Sequence, residues 1–344
     1  MQTLNKGEWS EAYCILKIIS DRKLFLCKTD LNVTGDEIVI NGGVISPIIS
    51  YRIDGDNVTF NINENYRDFS LEYVSELAKR SFDFIKSSSE KTFSIPEFSE
   101  LFDNYSLKAK ASDKVDTIIN VFDNLTNTNE ELGFSIKSFV SSSPTLVNAS
   151  RATNFVYEVK LNSIEEKYQN LKAKKLLRSL KENNVSILFS GMDSAIYKNN
   201  LMKIDLQLPE ILAEFLKIYF SSQSIKVADI TSILQESNPL KIDNISLYKD
   251  KITDFLFYSA VGLFPNKDWQ GMQDIDGGCL IVENNGDIKS FYIFRKSFLG
   301  FFREYLFNKC FLDTASTTRH KFSQLYNENG QVKLKLNLQI RIAR

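Results

Sequence analysis

Two segments constrain this chain more than any others: Thr117-Ile118-Ile119-Asn120-Val121-Phe122 and Gly133-Phe134-Ser135-Ile136-Lys137-Ser138. The first is an apolar, β-branched run of strand length, and a link rich in Asn and Thr separates it from the second. Together they predict a hairpin. Side chains two apart in a strand point the same way, so Ser135 and Lys137 share one face while Phe134 and Ile136 cover the other. Asp116 opens the first strand, and closing the hairpin brings it near Lys137. A carboxylate beside a lysine on a sheet suits metal-assisted phosphodiester cleavage. A divalent cation neutralises the phosphate and positions a water, which the lysine orients or deprotonates. Mg²⁺ needs only one or two carboxylates and keeps several waters. A surface hairpin with a solvated lysine and a turn-capping aspartate has the same spacing, so spacing alone leaves both readings open.

At 344 residues the chain can bury a large core, as two domains or one elaborated one. Its formal charge of −1 argues against a nonspecific nucleic-acid coat, though not against an enzyme whose positive charge is confined to a cleft. Cys14, Cys27, Cys279 and Cys310 form no C-x-x-C pair and read as reduced packing residues. With no long apolar span and no charged-then-apolar leader, the expectation is a soluble cytoplasmic protein with no membrane partner. Heavy use of Lys, Asn, Ile and Phe suggests an AT-rich microbial genome.

Along the chain, Glu8 to Ser20 predicts an amphipathic helix with Trp9, Ala12, Tyr13, Leu16 and Ile19 on one face. Leu24 to Cys27 predicts a strand, and turns are expected at Asn41-Gly42-Gly43 and Asp54-Gly55-Asp56-Asn57. Helices are expected from Leu71 to Ile85 and from about Pro96, with Ser94 as N-cap. Ser163 to Lys181 reads as one helix carrying Lys167, Lys172, Lys174, Lys175, Arg178 and Lys181. Such a face is commonly just solvated, but it can also contact phosphates. Further helices are expected over 209–221, 227–235, 246–262 and 298–308. A hairpin from Asp276 to Phe294 should turn at Asn284-Asn285-Gly286, and residues 332–340 should form a final strand. The expected division is 1–165, carrying the N-terminal helix, a small β insertion and the catalytic hairpin, and 166–344, a helical and β region that contributes to recognition. One continuous domain is the alternative.

Four segments carry a resemblance that spans the chain. They are Asn5-Lys6-Gly7-Glu8-Trp9-Ser10-Glu11, the Gly133–Ser138 segment, Thr145-Leu146-Val147-Asn148-Ala149-Ser150 with Thr153-Asn154-Phe155, and Ser316-Thr317-Thr318-Arg319-His320 followed by Leu336 to Arg341. In this order they resemble the HpaII family of type II restriction endonucleases. The resemblance implies an α/β fold with a PD-(D/E)XK-type nuclease core, a central mixed sheet flanked by helices, with additional helical and β elaborations. It also implies a Mg²⁺-dependent double-strand cut of DNA, with the family's type member acting at CCGG, and 5′-phosphate and 3′-hydroxyl ends. A homodimer on a palindromic site and a companion DNA methyltransferase follow from the same likeness. The alternatives are a repair or structure-specific nuclease, or a DNA-binding protein whose nuclease site has decayed.

The wider superfamily pattern is Asp, a spacer, then (Asp/Glu)-x-Lys. Ser135 stands where the middle acid belongs, so a second carboxylate must come from elsewhere. Asp116 is the expected metal ligand and Lys137 the residue that handles water. Ser135 should act through a water or a hydrogen bond, and the Ile136 carbonyl is the better direct ligand. Glu8, at the margin of the buried helix face, is the first choice for the second acid. Glu11 comes next, then Glu130 and Glu131, with Asp113 the fallback for Asp116. For DNA contacts, Asn148, Arg151 and Asn154 follow the catalytic strand, and Arg319-His320-Lys321 is a compact donor cluster holding the only histidine. Arginine can read guanine O6 and N7 bidentately.

Overall fold

The computed structural model describes residues 2–102, 115–124, 126–171, 173–271, 277–314, 317–320 and 322–344. These fall into two compact units, 1–144 with 275–302, and 145–274 with 303–344. The division therefore comes at 144/145 instead of the expected 165/166, and a late segment returns to the first unit.

In the first unit, with elements numbered along the chain, β1 (Leu4–Asn5) pairs with β7 (Thr92–Phe93). The main sheet uses β2 (Lys23–Cys27), β3 (Val33–Ser46), β4 (Ile49–Asp54), β5 (Asn57–Ile62), β6 (Asn65–Ser70), β8 (Thr117–Asp123), β9 (Thr128–Ser138), β13 (Gly278–Val282) and β14 (Ile288–Tyr292). Its order is β2-β14-β13-β9-β8-β3-β4-β5-β6, and β2 also pairs with β3. The first six strands thus close into a ring, a feature the expected central mixed sheet flanked by helices did not include; β4 to β6 extend it as an antiparallel meander. The sheet is mixed because β13 runs parallel to β9 and β14 parallel to β2. Closure removes an exposed edge that would otherwise present unpaired N–H and C=O groups.

Helix α1 (Lys6–Asp21) packs on β2, β3, β9, β13 and β14 and against α2 (Leu71–Ser87). The expected face is buried, but so are Cys14, Ile15 and Ile18, because the curled sheet covers α1 on more than one side. Trp9 Nε1 donates to the Phe93 carbonyl at 2.9 Å and the Tyr13 hydroxyl to the Gly286 carbonyl at 2.6 Å. These bonds fix the helix to β7 at one end and to the β13–β14 turn farther along. Asn41-Gly42-Gly43 forms no turn: it lies inside β3, where the register shifts by a bulge. A Cβ on Gly43 would sit 2.3 Å from the Ile118 carbonyl oxygen, so glycine is needed there for close approach to β8. Asp54 to Asn57 does turn, joining β4 to β5 with Gly55 at φ +54°. Helix α3 (Pro96–Phe102) completes this unit's core.

The second unit holds two smaller sheets. One has the order β12-β11-β17-β16, from β11 (Asn154–Val159), β12 (Ile187–Met192), β16 (Leu325–Glu328) and β17 (Gln331–Asn337). The other is β10-β18-β15, from β10 (Thr145–Val147), β15 (Cys310–Leu312) and β18 (Ile340–Ile342). The final strand expected over 332–340 is therefore split between two sheets, since β17 stops at Asn337. Around them lie α4 (Glu166–Gln169), α5 (Ala173–Glu182), α6 (Ala195–Ile204), α7 (Leu208–Ser221), α8 (Val227–Ser237) and α9 (Ser246–Val261). Helix α10 (Lys296–Lys309) carries the chain from the first unit into the second, and α11 (Thr317–His320) follows β15. The helix expected over Ser163 to Lys181 is broken into α4 and α5; its Lys172 lies outside the described residues. Tyr157, Phe215, Phe220, Tyr248 and Phe255 form fully buried packing here, with the Tyr157 hydroxyl donating to the Ala213 carbonyl. Among the described residues, all four cysteines are buried and unbridged, and no helix is long and apolar enough to cross a membrane.

Candidate functional site

The predicted hairpin forms, with Thr117 opposite Phe134 and Ile119 opposite Leu132. Asp116 stands one residue ahead of β8. Its N–H donates to the Phe134 carbonyl at 2.9 Å, and its Oδ2 accepts the Ile136 N–H at 2.6 Å. The carboxylate thus takes the place of a ladder carbonyl at the strand entrance, which holds it against β9. Its Oδ1 has no hydrogen-bond partner among the described residues. Lys137 Nζ donates to the Ile136 carbonyl oxygen at 3.2 Å. Asp116, the Ile136 carbonyl and the Lys137 ammonium therefore meet at one half-exposed spot.

Ser135 is buried at 3% exposure and lies in register with Cys279 on the parallel strand β13. Burial pushes the Cys279 thiol up, and the Lys137 charge and a hydrogen bond with the Ser135 side chain partly oppose this. Ser135 is thus bonded inward to a thiol. Cys14 of α1 is also buried, its thiol raised well above the usual range by desolvation, then by Asp116, Cys279 and Glu11. These two cysteines underlie the site, and nothing in the chain's spacing pointed to them: β13 arrives from a segment far along the sequence.

The two α1 acids differ in their engagements. Glu8 closes a capping box, with Oε2 accepting the Asn5 N–H at 2.9 Å while Asn5 Oδ1 accepts the Glu8 N–H at 3.1 Å. Glu11 lies close enough to Cys14 to act on the same thiol as Asp116. Glu130 and Glu131 are exposed on β9 opposite Val121 and Asn120. At about 3.3 Å per residue, Glu131 is roughly 13 Å along the strand from Ser135, too far to share an ion with Asp116. Asp113 lies outside the described residues.

Among the described residues no group of three or more His, Cys, Asp or Glu side chains could hold a metal. An ion at Asp116 would therefore rest on one or two carboxylates, a main-chain oxygen and water. That hard-oxygen donor set suits Mg²⁺ and would serve a soft ion poorly.

The recognition candidates lie in the second unit. Asn148 and Arg151 are exposed. Asn154 is not: it is fully buried, and its Nδ2 donates to Asp193 Oδ2 at 2.9 Å and to the His320 carbonyl at 3.0 Å. Its Oδ1 accepts from Asn337 Nδ2 at 2.7 Å, with Asn337 directly opposite in the β11–β17 ladder. Asn337 Nδ2 also reaches the Ser150 carbonyl at 2.7 Å, and Asp193 pairs with Lys335 at 2.7 Å. Asn154 thus anchors backbone and faces no solvent, so contact with a base edge is closed to it. What it anchors is informative. His320 has its pKa lowered by burial and by the charges of Arg319 and Arg151, which places these three basic side chains together. Arg319 is exposed and His320 half-buried, while Lys321 lies outside the described residues.

Asp116 and Lys137 thus stand together in the first unit, and Arg151, Arg319 and His320 stand together in the second. The known relatives define the class: the chain is a restriction endonuclease, a site-specific deoxyribonuclease of the restriction–modification type. It belongs to the HpaII restriction endonuclease family, whose model matches residues 5–342. It is 33% identical to the type II restriction enzyme HpaII of Haemophilus parainfluenzae over a 360-residue alignment covering 98% of either chain. No solved structure matches it.

Proposed function

We propose that the protein makes Mg²⁺-dependent double-strand cuts at CCGG or a close variant, leaving 5′-phosphate and 3′-hydroxyl ends. The observation that carries this reading is the convergence of Asp116, the Ile136 carbonyl and Lys137. We read the mixed sheet around β8, β9 and β13 as a PD-(D/E)XK-type core, its aspartate heading one strand and its lysine on the next. Asp116 Oδ1 and the Ile136 carbonyl would hold the ion, and Glu11 would supply the second carboxylate in place of Glu8. When bound, Mg²⁺ neutralises the scissile phosphate and acidifies water. Lys137 has one N–H spent on the Ile136 carbonyl and the others free to orient the attacking water and bond a phosphate oxygen. Arg151, Arg319 and His320 contact the target. A palindromic site calls for two catalytic centres about a two-fold axis, hence a homodimer. The setting is a prokaryotic cytoplasm with a methyltransferase that protects the same site.

Digesting a sequenced plasmid with the purified protein in Mg²⁺ and mapping the ends tests this. Cuts confined to CCGG or a degenerate form of it are expected, with ligatable 5′-phosphates. Cuts at structural features without a common sequence would instead support a repair or structure-specific nuclease.

A further inference from the structure

Helix α5 has the sequence Ala-Lys-Lys-Leu-Leu-Arg-Ser-Leu-Lys-Glu, and its Leu176, Leu177 and Leu180 are fully buried. That stripe turns Lys174, Arg178 and Lys181, at i, i+4 and i+7, into a single row on one flank. Lys175 lies on the exposed back. Two lysines near this helix are neutralised: Lys167 pairs with Glu165, and Lys217 with Glu214. The row itself has no carboxylate partner among the described residues; Arg178 donates to the Ser222 carbonyl, and Lys174 Nζ sits 4.2 Å from the centre of the Tyr219 ring. In a chain of net charge −1, an unneutralised row of this length is a local excess.

Its place in the fold gives the row a purpose. The Tyr219 hydroxyl shares a 2.8 Å hydrogen bond with Thr314, in the segment that leads into α11 and Arg319. Lys174 is therefore one side chain away from Thr314, five positions ahead of Arg319 in the sequence. Lys174 and Lys181 are roughly 10 Å apart along the axis at about 1.5 Å per residue.

We propose that the Lys174–Arg178–Lys181 row binds the phosphate backbone of DNA flanking the target, extending the contact of Arg151, Arg319 and His320 without reading sequence. This rests on the DNA-cutting reading above. Contacts of this kind release counterions, so each adds about 0.9 to the slope of log binding constant against log salt.

The test is duplex binding by the full-length protein with Ca²⁺ replacing Mg²⁺, across a salt series. One duplex carries CCGG and another an arbitrary sequence. Glutamine keeps the aliphatic stem that covers Tyr219 while removing the charge. Lys174→Gln with Lys181→Gln should lower the slope by about 2 on both duplexes and leave the preference between them unchanged. Lys181→Gln alone, at an exposed position, should lower it by about 1 without disturbing the fold. Slopes unchanged in both variants, with Arg319→Ala still losing preference for CCGG, would overturn the role of α5 alone. If the unmodified protein binds neither duplex, the parent reading fails and this one with it.

Discussion

Glu8 and Glu11 lie one helical turn apart: Glu8 closes the α1 capping box, and Glu11 lies near the Cys14 thiol that Asp116 also acts on. Glu8→Ala removes a capping box, which should cost about 1 kcal/mol of stability and leave cleavage near normal. Glu11→Ala should lose most of the cleavage rate, well beyond any effect on melting. The opposite pattern in paired melting and cleavage assays would return the second acid to Glu8. Restoring the superfamily acid with Ser135→Glu should not help. The side chain is enclosed against Cys279, so a larger group overpacks the sheet by about 1–3 kcal/mol and its carboxyl is desolvated. A Ser135→Glu enzyme that melts normally and cuts faster would show that the pocket is roomier than this. Arg319→Ala should weaken binding to the cognate duplex by roughly 1–3 kcal/mol and change arbitrary DNA much less. Equal losses on both would make Arg319 a phosphate anchor and move base reading to Arg151 or Asn148.

At the scale of elements, the β8–β9 hairpin was legible because it is local: alternation and a polar link predict it, and antiparallel strands can be joined by a short turn. So were α1, α2, α7, α8, α9 and α10, whose apolar residues recur at helical spacing over a dozen or so positions. The parallel strand β13 was not. Its sequence announces a hairpin with β14, but its parallel pairing with β9, Gly278 opposite Phe134, joins segments 144 residues apart and leaves no local mark. Asn41-Gly42-Gly43 misled because glycine serves turns and close strand approach alike. Asn154 misled because a polar residue in a polar segment gives no sign that it is buried. At the far end of β8, Asp123 is buried and accepts from Arg295, Nε at 3.2 Å, which ties the β8–β9 hairpin to the segment after β14. Removing one partner of such a pair leaves a buried charge, so Asp123→Ala should cost about 3–5 kcal/mol in denaturant unfolding. A loss under about 1 kcal/mol would mean the pair is effectively solvated.

For the whole molecule, the expected division at 165/166 left Asn148, Arg151 and Asn154 with the nuclease part, whereas the two units put them with Arg319 and His320 and leave Asp116 and Lys137 in the first. The expected boundary was off because chain order is a poor guide where a late segment returns: 275–302 supplies β13 and β14 to the first unit. The central claim is that Asp116, held on β9 by the Ile136 N–H, is the carboxylate on which cleavage depends. Asp116→Asn keeps the side chain's size and changes its charge, so it tests that claim most directly. Single-turnover cleavage of saturating CCGG duplex in Mg²⁺ should fall by several orders of magnitude, while duplex binding in Ca²⁺ and the melting temperature stay close to those of the unmodified enzyme. Cleavage within a few-fold of normal would contradict the account and send the search for the metal carboxylate elsewhere in the chain.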